Sequence, residues 1–331
     1  MESMEADTFG KVYDRIIIWY VTKTCNFTCT QCAGNSIRLK GQYAPEIVDM
    51  RSLKKFLDNS DKTIKFSFTG GEPLLVRNIV EVFQEITGKH YLAFISNLVS
   101  PAVKDIAEKI NPERVNFITA SAHIKELEKR NLMQTFIAHC LLLKEKGFNL
   151  FISEVAYPYI TDKAEKYKEY FHKQGLELEF MAFRGTWNKK KYPDAYTQDE
   201  INVFNLNKAE HTRHDIFNRK NRICNAGYNI AVVDNGGNAH PCFSLLQEMG
   251  NIYDKIQFTD TLIKCPFKFC GCPFPFFEPY IYRKAIKELG GIQAPNVSIA
   301  EKKEWHFLKE MLFARLKRIS LYVKNVIHKR A

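Results

Sequence analysis

The chain has 331 residues, of which 45% are hydrophobic and 13% aromatic, enough for one large domain and a smaller one. Nothing in this composition suggests disorder. No apolar run approaches the roughly 20 residues that span a bilayer, and the start, MESMEADTFG, lacks the features of a signal peptide. The formal net charge of +11 is compatible with nucleic acid, an anionic membrane surface or an acidic substrate as partners.

Cysteine content indicates the compartment. Nine cysteines in a chain without a secretion signal favour metal ligation in a reducing environment over a disulfide scaffold. We therefore expect a cytoplasmic protein.

Three cysteines follow the first predicted strand, residues 15–22, with C-x3-C-x2-C spacing. Cys25, Cys29 and Cys32 put three thiols on one short loop, and thiolates favour iron–sulfur clusters or zinc. Three protein ligands leave one iron of a four-iron cluster open to another ligand. A structural zinc site needs four ligands, and no second cysteine pair lies nearby in sequence. A zinc or disulfide loop is the alternative interpretation.

A second motif follows the next predicted strand, residues 64–69, and consists of Gly70, Gly71, Glu72 and Pro73. The two motifs in this order resemble those of the radical S-adenosylmethionine (SAM) superfamily. The resemblance implies that a 4Fe–4S cluster on the three cysteines binds SAM, and that the second motif binds the SAM amino group. The residue before the third cysteine is usually aromatic in that family. Gln31 stands here, so we expect a backbone contact with the adenine rather than stacking.

Strand-like and helix-like stretches alternate through the first 200 residues. The predicted strands are residues 15–22, 64–69, 91–97, 115–121, 149–156 and 176–183. The predicted helices are residues 45–58, 78–88, 101–110, 127–147 and 162–174, with Gly88, Gly147 and Gly175 expected just after three of them. Six β/α units in series predict a parallel sheet with external helices. The resemblance implies a partial (β/α)6 barrel spanning residues 12–200.

Barrel chemistry sits at the carboxyl ends of strands, so polar residues there are candidate site residues. By resemblance, Asn97 and Ser121 are candidate SAM contacts. His123, Glu154 and Arg184 are weaker candidates for catalysis, and His123 is a proton acceptor near neutral pH. The alternative for each is an ordinary polar residue at the rim.

A second set of cysteines begins after a polar, basic linker with a predicted helix at residues 198–207. It comprises Cys224, Cys242, Cys265, Cys270 and Cys272. Alternating apolar residues from Tyr228 and a turn containing Gly236 predict a β-hairpin between the first two. This segment, residues 201–280, resembles the SPASM or Twitch domain of radical SAM enzymes. The resemblance implies one auxiliary 4Fe–4S cluster on four of the five cysteines, with zinc as the competing metal. Which of the last three is spare stays open.

The tail, residues 281–331, ends in a predicted amphipathic helix. From residue 301 it carries nine Lys or Arg against three Glu, a net charge of +6. A helix packed on the protein body or a partner is one interpretation, and peripheral contact with the inner surface of an anionic membrane is the other. No nucleic-acid-binding motif accompanies the charge, so we expect no nucleic acid partner.

The leading functional hypothesis from the resemblance is a radical SAM oxidoreductase. A 5′-deoxyadenosyl radical would abstract hydrogen from an unactivated carbon of a small or sugar-like substrate, and the auxiliary cluster would accept an electron. An external reductant of flavodoxin or ferredoxin type would supply the first electron. Maturation of a short peptide by epimerisation or crosslinking is the alternative. A non-catalytic zinc or iron–sulfur module that binds a partner or senses redox state is the rival from another class.

Overall fold

The computed structural model describes residues 6–7, 9–30, 32, 46–206, 220–221, 223–267 and 279–289. The strands are β1 (Arg15–Thr22), β2 (Ile64–Gly70), β3 (Tyr91–Ser96), β4 (Val115–Ser121), β5 (Leu150–Ala156), β6 (Leu178–Ala182), β7 (Gly185–Trp187), β8 (Lys190–Tyr192), β9 (Ile223–Cys224), β10 (Ile230–Val233), β11 (Ala239–His240) and β12 (Ile263–Lys264). The α-helices are α1 (Met50–Asp58), α2 (Ile79–Lys89), α3 (Ala102–Lys109), α4 (Ile124–Lys129), α5 (Met133–Glu145), α6 (Ala164–Lys173), α7 (Gln198–Phe204) and α8 (Pro279–Glu288).

The main sheet has eight strands in the order β11-β10-β1-β2-β3-β4-β5-β6. Strands β1 to β6 are parallel neighbours in sequence order. Helices connect them, as parallel neighbours require. The predicted parallel α/β sheet is confirmed, and its order is consistent with a partial barrel.

Alternate residues of each strand point to opposite faces of the sheet. On the outer face, large side chains such as Phe66, Phe68 and Phe94 are fully buried in the main core beneath the helices. On the inner face, Ile16 and Ile18 pack in a second, smaller cluster. This alternation decides which strand residues can reach a ligand held inside the barrel.

Strand β10 joins the main sheet rather than standing apart from it. It pairs in parallel with β1, with Ile16 opposite Ile230, and forms an antiparallel hairpin with β11. All four residues of β10 are buried and apolar, so pairing covers the free edge of β1. The predicted hairpin is present, but it extends the barrel sheet.

Two connections differ from the sequence prediction. The predicted helix 127–147 is divided into α4 and α5, because Asn131 between them has a left-handed φ of 55°. The linker contains the β7–β8 hairpin, whose turn residues Asn188 and Lys189 both have positive φ. Two positive φ values in a two-residue turn match the twist of a hairpin.

Gly88 lies inside α2, which ends one residue later.

Within the described part of the chain, none of the helices combines the length and the apolar character that crossing a bilayer requires. The predicted basic helix of the tail lies outside those residues.

Candidate functional site

The two sequence motifs meet at the carboxyl end of the sheet. The backbone N–H of Gly71 donates to the carbonyl of Thr22 at 2.8 Å, and the N–H of Glu72 donates to that of Thr24 at 2.8 Å. A Cβ on residue 71 would lie 2.0 Å from the Thr24 carbonyl oxygen, and Gly70 has a φ of +130°. Both glycines are therefore required for the loop after β2 to lie against the cysteine loop.

The Glu72 side chain ties β2 to β3. Glu72 is buried, with 1% of the residue exposed. It accepts hydrogen bonds from Leu74 N at 3.0 Å, Ser96 Oγ at 2.7 Å and Asn97 N at 2.8 Å. Burial raises the pKa of Glu72, against the opposing effect of these bonds. Since its oxygens already accept from protein groups, we infer that backbone carbonyls of the motif are better placed than this carboxylate to receive an amino group.

Asn97 holds the cysteine loop. Its Nδ2 donates to Asn26 Oδ1 at 2.8 Å, and its Oδ1 accepts from Val99 N at 3.3 Å. Asn97 is 3% exposed. Its side chain therefore helps to position the loop beside Cys25, and the SAM contact expected from the sequence stays a prediction.

A second anchor of the cysteine loop was missed from sequence. Thr28 N donates to Glu126 Oε2 at 3.2 Å, and Arg130 Nε pairs with the same oxygen at 3.1 Å. Glu126 lies on α4, 98 residues away in sequence from Thr28. Its i,i+4 spacing to Arg130 was visible in the sequence, but nothing there linked the pair to the loop.

The three cysteines share this anchored loop. Cys29 is buried, Cys25 and Cys32 are partly exposed, and Cys25 Sγ accepts from Phe27 N at 3.4 Å. Within the described residues, no group of three or more Cys, His, Asp or Glu side chains is already gathered as a metal site. The donor set is nevertheless three thiols on one loop fixed at both sides, which suits an iron–sulfur cluster. Gln31 lies outside the described residues.

The other candidates occupy different positions. Ser121 ends β4 on the inner face and is partly exposed. His123 precedes α4 in a left-handed conformation, with φ 40°, and its ring lies edge-on to Phe27 at 6.1 Å. Arg184 is exposed in the connection between β6 and β7. The structure brings Ser121 and His123 to the edge that carries both motifs.

Glu154 differs from its predicted position. It lies opposite Phe180 on the helix-facing side of β5, between the buried residues Ile152 and Ala156. Its carboxylate accepts a hydrogen bond from the N–H of Ile124, the first residue of α4, at 2.6 Å. It accepts a second from the N–H of Val155 at 2.8 Å. Strand alternation therefore turns it away from the inner face, and it caps α4 instead. The observed position faces the helices rather than the barrel interior, and the catalytic role for which the sequence made Glu154 a candidate stays a prediction.

Burial raises the pKa of Glu154 from 4.5 to about 7. Folding therefore favours the protonated form, so this contribution to stability is complete below pH 4.5 and is lost as pH rises through about 7. The difference corresponds to roughly 3 kcal/mol. Between pH 5 and pH 8, we expect the melting temperature of the wild-type protein to fall more than that of Glu154→Gln. Thermal unfolding under anaerobic conditions measures both melting temperatures. Glu108→Gln, on the exposed side of α3, should keep the wild-type pH dependence; equal slopes for wild type and Glu154→Gln would contradict the assignment.

The second cysteine set is partly described. Cys224 lies on β9 opposite Ile263 of β12, and Cys265 follows that strand directly. Because Cys265 is two residues after Ile263, the partner of Cys224, the two cysteines lie near each other at the end of this ladder. Cys242 follows β11, and its Sγ accepts from Leu245 N at 3.3 Å. Cys270 and Cys272 lie outside the described residues.

The second set also approaches the barrel mouth. Phe243, next to Cys242, stacks edge-on against Tyr20 of β1 with ring centroids 5.7 Å apart. Tyr253 stacks in the same way on Trp19 at 6.0 Å. The described segment of residues 223–267 therefore packs directly on the first barrel strand.

Comparisons with known proteins agree with this arrangement. Residues 19–170 match the family model of the radical SAM superfamily. Two structures of native anSMEcpe, one with bound AdoMet (SAM) and one with AdoMet and the Cp18Cys peptide, are similar with TM-scores of 0.52 and 0.53. Their sequence identities are 16% and 18%, and each match covers 93% of this chain and 99% of the other. At this identity the likeness concerns the fold.

A curated relative matches a shorter stretch. An uncharacterized protein of Methanocaldococcus jannaschii is 35% identical over 78 residues. The match spans 23% of this chain and 25% of that relative.

Proposed function

We propose that this chain, which carries a radical SAM domain at residues 19–170, is an enzyme that removes hydrogen from an unactivated carbon of its substrate. Cys25, Cys29 and Cys32 would hold the cluster. When bound, the cluster and SAM supply a one-electron cleavage that yields methionine and a 5′-deoxyadenosyl radical. The observation that carries the proposal is the pair of hydrogen bonds, each 2.8 Å, between the cysteine loop and the Gly70–Gly71–Glu72 loop.

The protein residues have positioning roles in this proposal. Glu72 and Asn97 fix the end of β3 and the cysteine loop in one hydrogen-bond network. Glu126 fixes the same loop from α4. A preorganised loop of this kind keeps SAM and the substrate carbon correctly positioned relative to each other. Small displacements of reacting groups lower the reaction rate strongly.

We propose dehydrogenation of a small or sugar-like substrate as the reaction, with the second cysteine set holding an auxiliary 4Fe–4S cluster that accepts an electron. The contact between Phe243 and Tyr20 supports this role, because it puts the residue after Cys242 against the inner face of β1. The donor set includes Cys224 of β9 and Cys265, the residue directly after β12. Zinc at this second set is the alternative metal.

The two cysteine sets should have different functions that single substitutions can distinguish. We expect Cys224→Ala to retain SAM cleavage to 5′-deoxyadenosine while losing substrate oxidation, because the first loop and its anchors are untouched. Anaerobic product analysis and iron content provide the measurement. Loss of SAM cleavage in Cys224→Ala to the level of a Cys25→Ala variant would contradict separate roles.

A peptide substrate is the second candidate. The fold-level likeness includes a structure of anSMEcpe that contains the Cp18Cys peptide. The exposed β7–β8 hairpin beside the barrel offers Lys189, Lys190 and Lys191 as contacts for an acidic peptide. Epimerisation or crosslinking would then replace dehydrogenation as the outcome.

The non-catalytic alternative has a direct test. Anaerobically reconstituted protein should contain about eight irons per chain if both clusters form, and it should release 5′-deoxyadenosine when reduced with SAM. Zinc in place of iron, with no 5′-deoxyadenosine, would support a metal-binding module without this activity. The external reductant and the membrane contact of the tail stay predictions.

A further inference from the structure

The inner face of the barrel carries several polar side chains where a sheet packed on both faces would be apolar. Parallel strands buried on both faces are normally rich in Val, Ile and Leu throughout. The outer face follows this rule, whereas the inner face carries hydroxyl side chains on three strands. These are Ser67 and Thr69 of β2, Thr119 of β4 and Ser153 of β5.

Strand register brings these hydroxyls to one surface. Thr69 lies opposite Tyr20 of β1, and Thr119 lies opposite Ile95 of β3. Ser153 of β5 lies opposite Ser121 of β4, which is two residues closer to the end of its strand than Thr119. Ser67 is three residues before the end of β2, which is a depth of roughly 10 Å below the motif loop at about 3.3 Å per residue.

The surface is open to a ligand. All four hydroxyl residues are partly exposed. Their side chains make no hydrogen bond to any residue in the described part of the chain. Between them, Ile95 is 41% exposed although β3 is a central strand, and Met181 of β6 is 50% exposed. Apolar side chains mixed with a few unpaired polar groups are typical of a small-molecule site.

The chemistry of this surface limits what it binds. A hydroxyl can both donate and accept, so it suits amides and other hydroxyls equally well. A charged group taken out of water needs an opposite charge. Within the described inner face above Lys65, Glu179 of β6, beside Ser153, is the one side chain with a full charge, and it already has an interaction partner. This face therefore offers no available opposite charge to a charged ligand.

We propose that Ser67, Thr69, Thr119 and Ser153 bind an uncharged, hydrogen-bonding part of the substrate, with Ile95 packed against its carbon skeleton. The shared chemistry is a neutral donor and acceptor array, which a sugar presents as hydroxyls and a peptide as backbone amides. This inference rests on the proposed function, because it places the substrate below SAM in the same barrel.

The test uses the reconstituted holoprotein with SAM. The neutral probes are methyl glucoside and acetyl-alanyl-alanyl amide, and their charged counterparts are methyl glucuronide and acetyl-aspartyl-aspartyl amide. Saturation-transfer NMR measures probe binding, and calorimetry measures the affinity for SAM. Thr69→Val and Thr119→Val each remove one hydroxyl, and Thr186→Val, on the exposed β7 strand, is the matched control.

We expect at least one neutral probe to bind, and each inner-face variant to weaken that binding about tenfold, as loss of one hydrogen bond implies. The affinity for SAM and the behaviour of Thr186→Val should match wild type. Binding of the glucoside alone identifies a sugar-like substrate, and binding of the dipeptide alone identifies a peptide.

Three results would overturn the inference: no binding of either neutral probe, equal binding of the charged counterparts, or unchanged binding in both inner-face variants. Loss of SAM affinity in those variants would also overturn it, since the hydroxyls would then serve the cofactor. A separate assay measures SAM cleavage by the wild-type protein without any probe. Absence of SAM cleavage would count against the proposed function, not against the inner-face site.

Discussion

Replacing Cys25, Cys29 or Cys32 with serine should abolish SAM cleavage while the protein stays folded. Loss of a residue that hydrogen-bonds to a metal ligand typically lowers metal affinity or activity by roughly 10–100-fold. Loss of one of the three ligands themselves should have a larger effect. The expected result is no detectable 5′-deoxyadenosine and about half the iron of a two-cluster wild type. Iron analysis, electron paramagnetic resonance and product assay check it under anaerobic conditions.

Cys140 provides the control for this experiment. It is buried in α5, and burial raises the pKa of its thiol, so it behaves as a small apolar side chain. Cys140→Ala should keep both iron content and SAM cleavage. If a serine variant of the loop retained wild-type SAM cleavage, the assignment of the loop as the SAM cluster site would be wrong.

Gly71→Ala should have the second large effect. The new Cβ would meet the Thr24 carbonyl oxygen at 2.0 Å, a backbone atom that cannot move without breaking the hydrogen bonds between the two loops. We expect at least about 1–3 kcal/mol of destabilisation from the overpacking. Displacement of the motif by about 1 Å should lower SAM cleavage by about 100-fold. Thermal unfolding and initial rates of 5′-deoxyadenosine formation measure the two effects.

Gly88→Ala is the matched control, because it makes the same substitution where the chain has room. Gly88 lies within α2, and a Cβ there meets nothing within 4 Å. Alanine in a helix should stabilise the protein by up to about 1 kcal/mol without changing SAM cleavage. If Gly71→Ala behaved like Gly88→Ala, the tight contact between the two motif loops would not be needed.

Local signals in the sequence predicted most of the barrel. The strands Arg15–Thr22 and Val115–Ser121 were predicted with the bounds that the structure has. Runs of Ile, Phe and Val separated by amphipathic stretches are sufficient for this, because hydrophobic periodicity acts over a few residues. The two motifs were also readable, since their chemistry depends on residues adjacent in the chain.

Tertiary structure decided the roles of individual residues at the strand ends. Glu154 and Ser153 are neighbours in sequence, yet one caps α4 beneath the helices and the other faces the barrel interior. A one-residue change of register reverses those positions, and register depends on partners distant in the chain.

The sequence alone determined that this chain forms a parallel α/β sheet and carries three cysteines before a Gly-Gly-Glu-Pro loop. Only the tertiary structure decided that Asn97 holds Asn26, that Glu126 holds Thr28, and that β10 extends the sheet beside β1. The reason is physical: helix and strand formation follow from local side-chain periodicity, whereas hydrogen bonds between residues dozens of positions apart form only after the strands have paired.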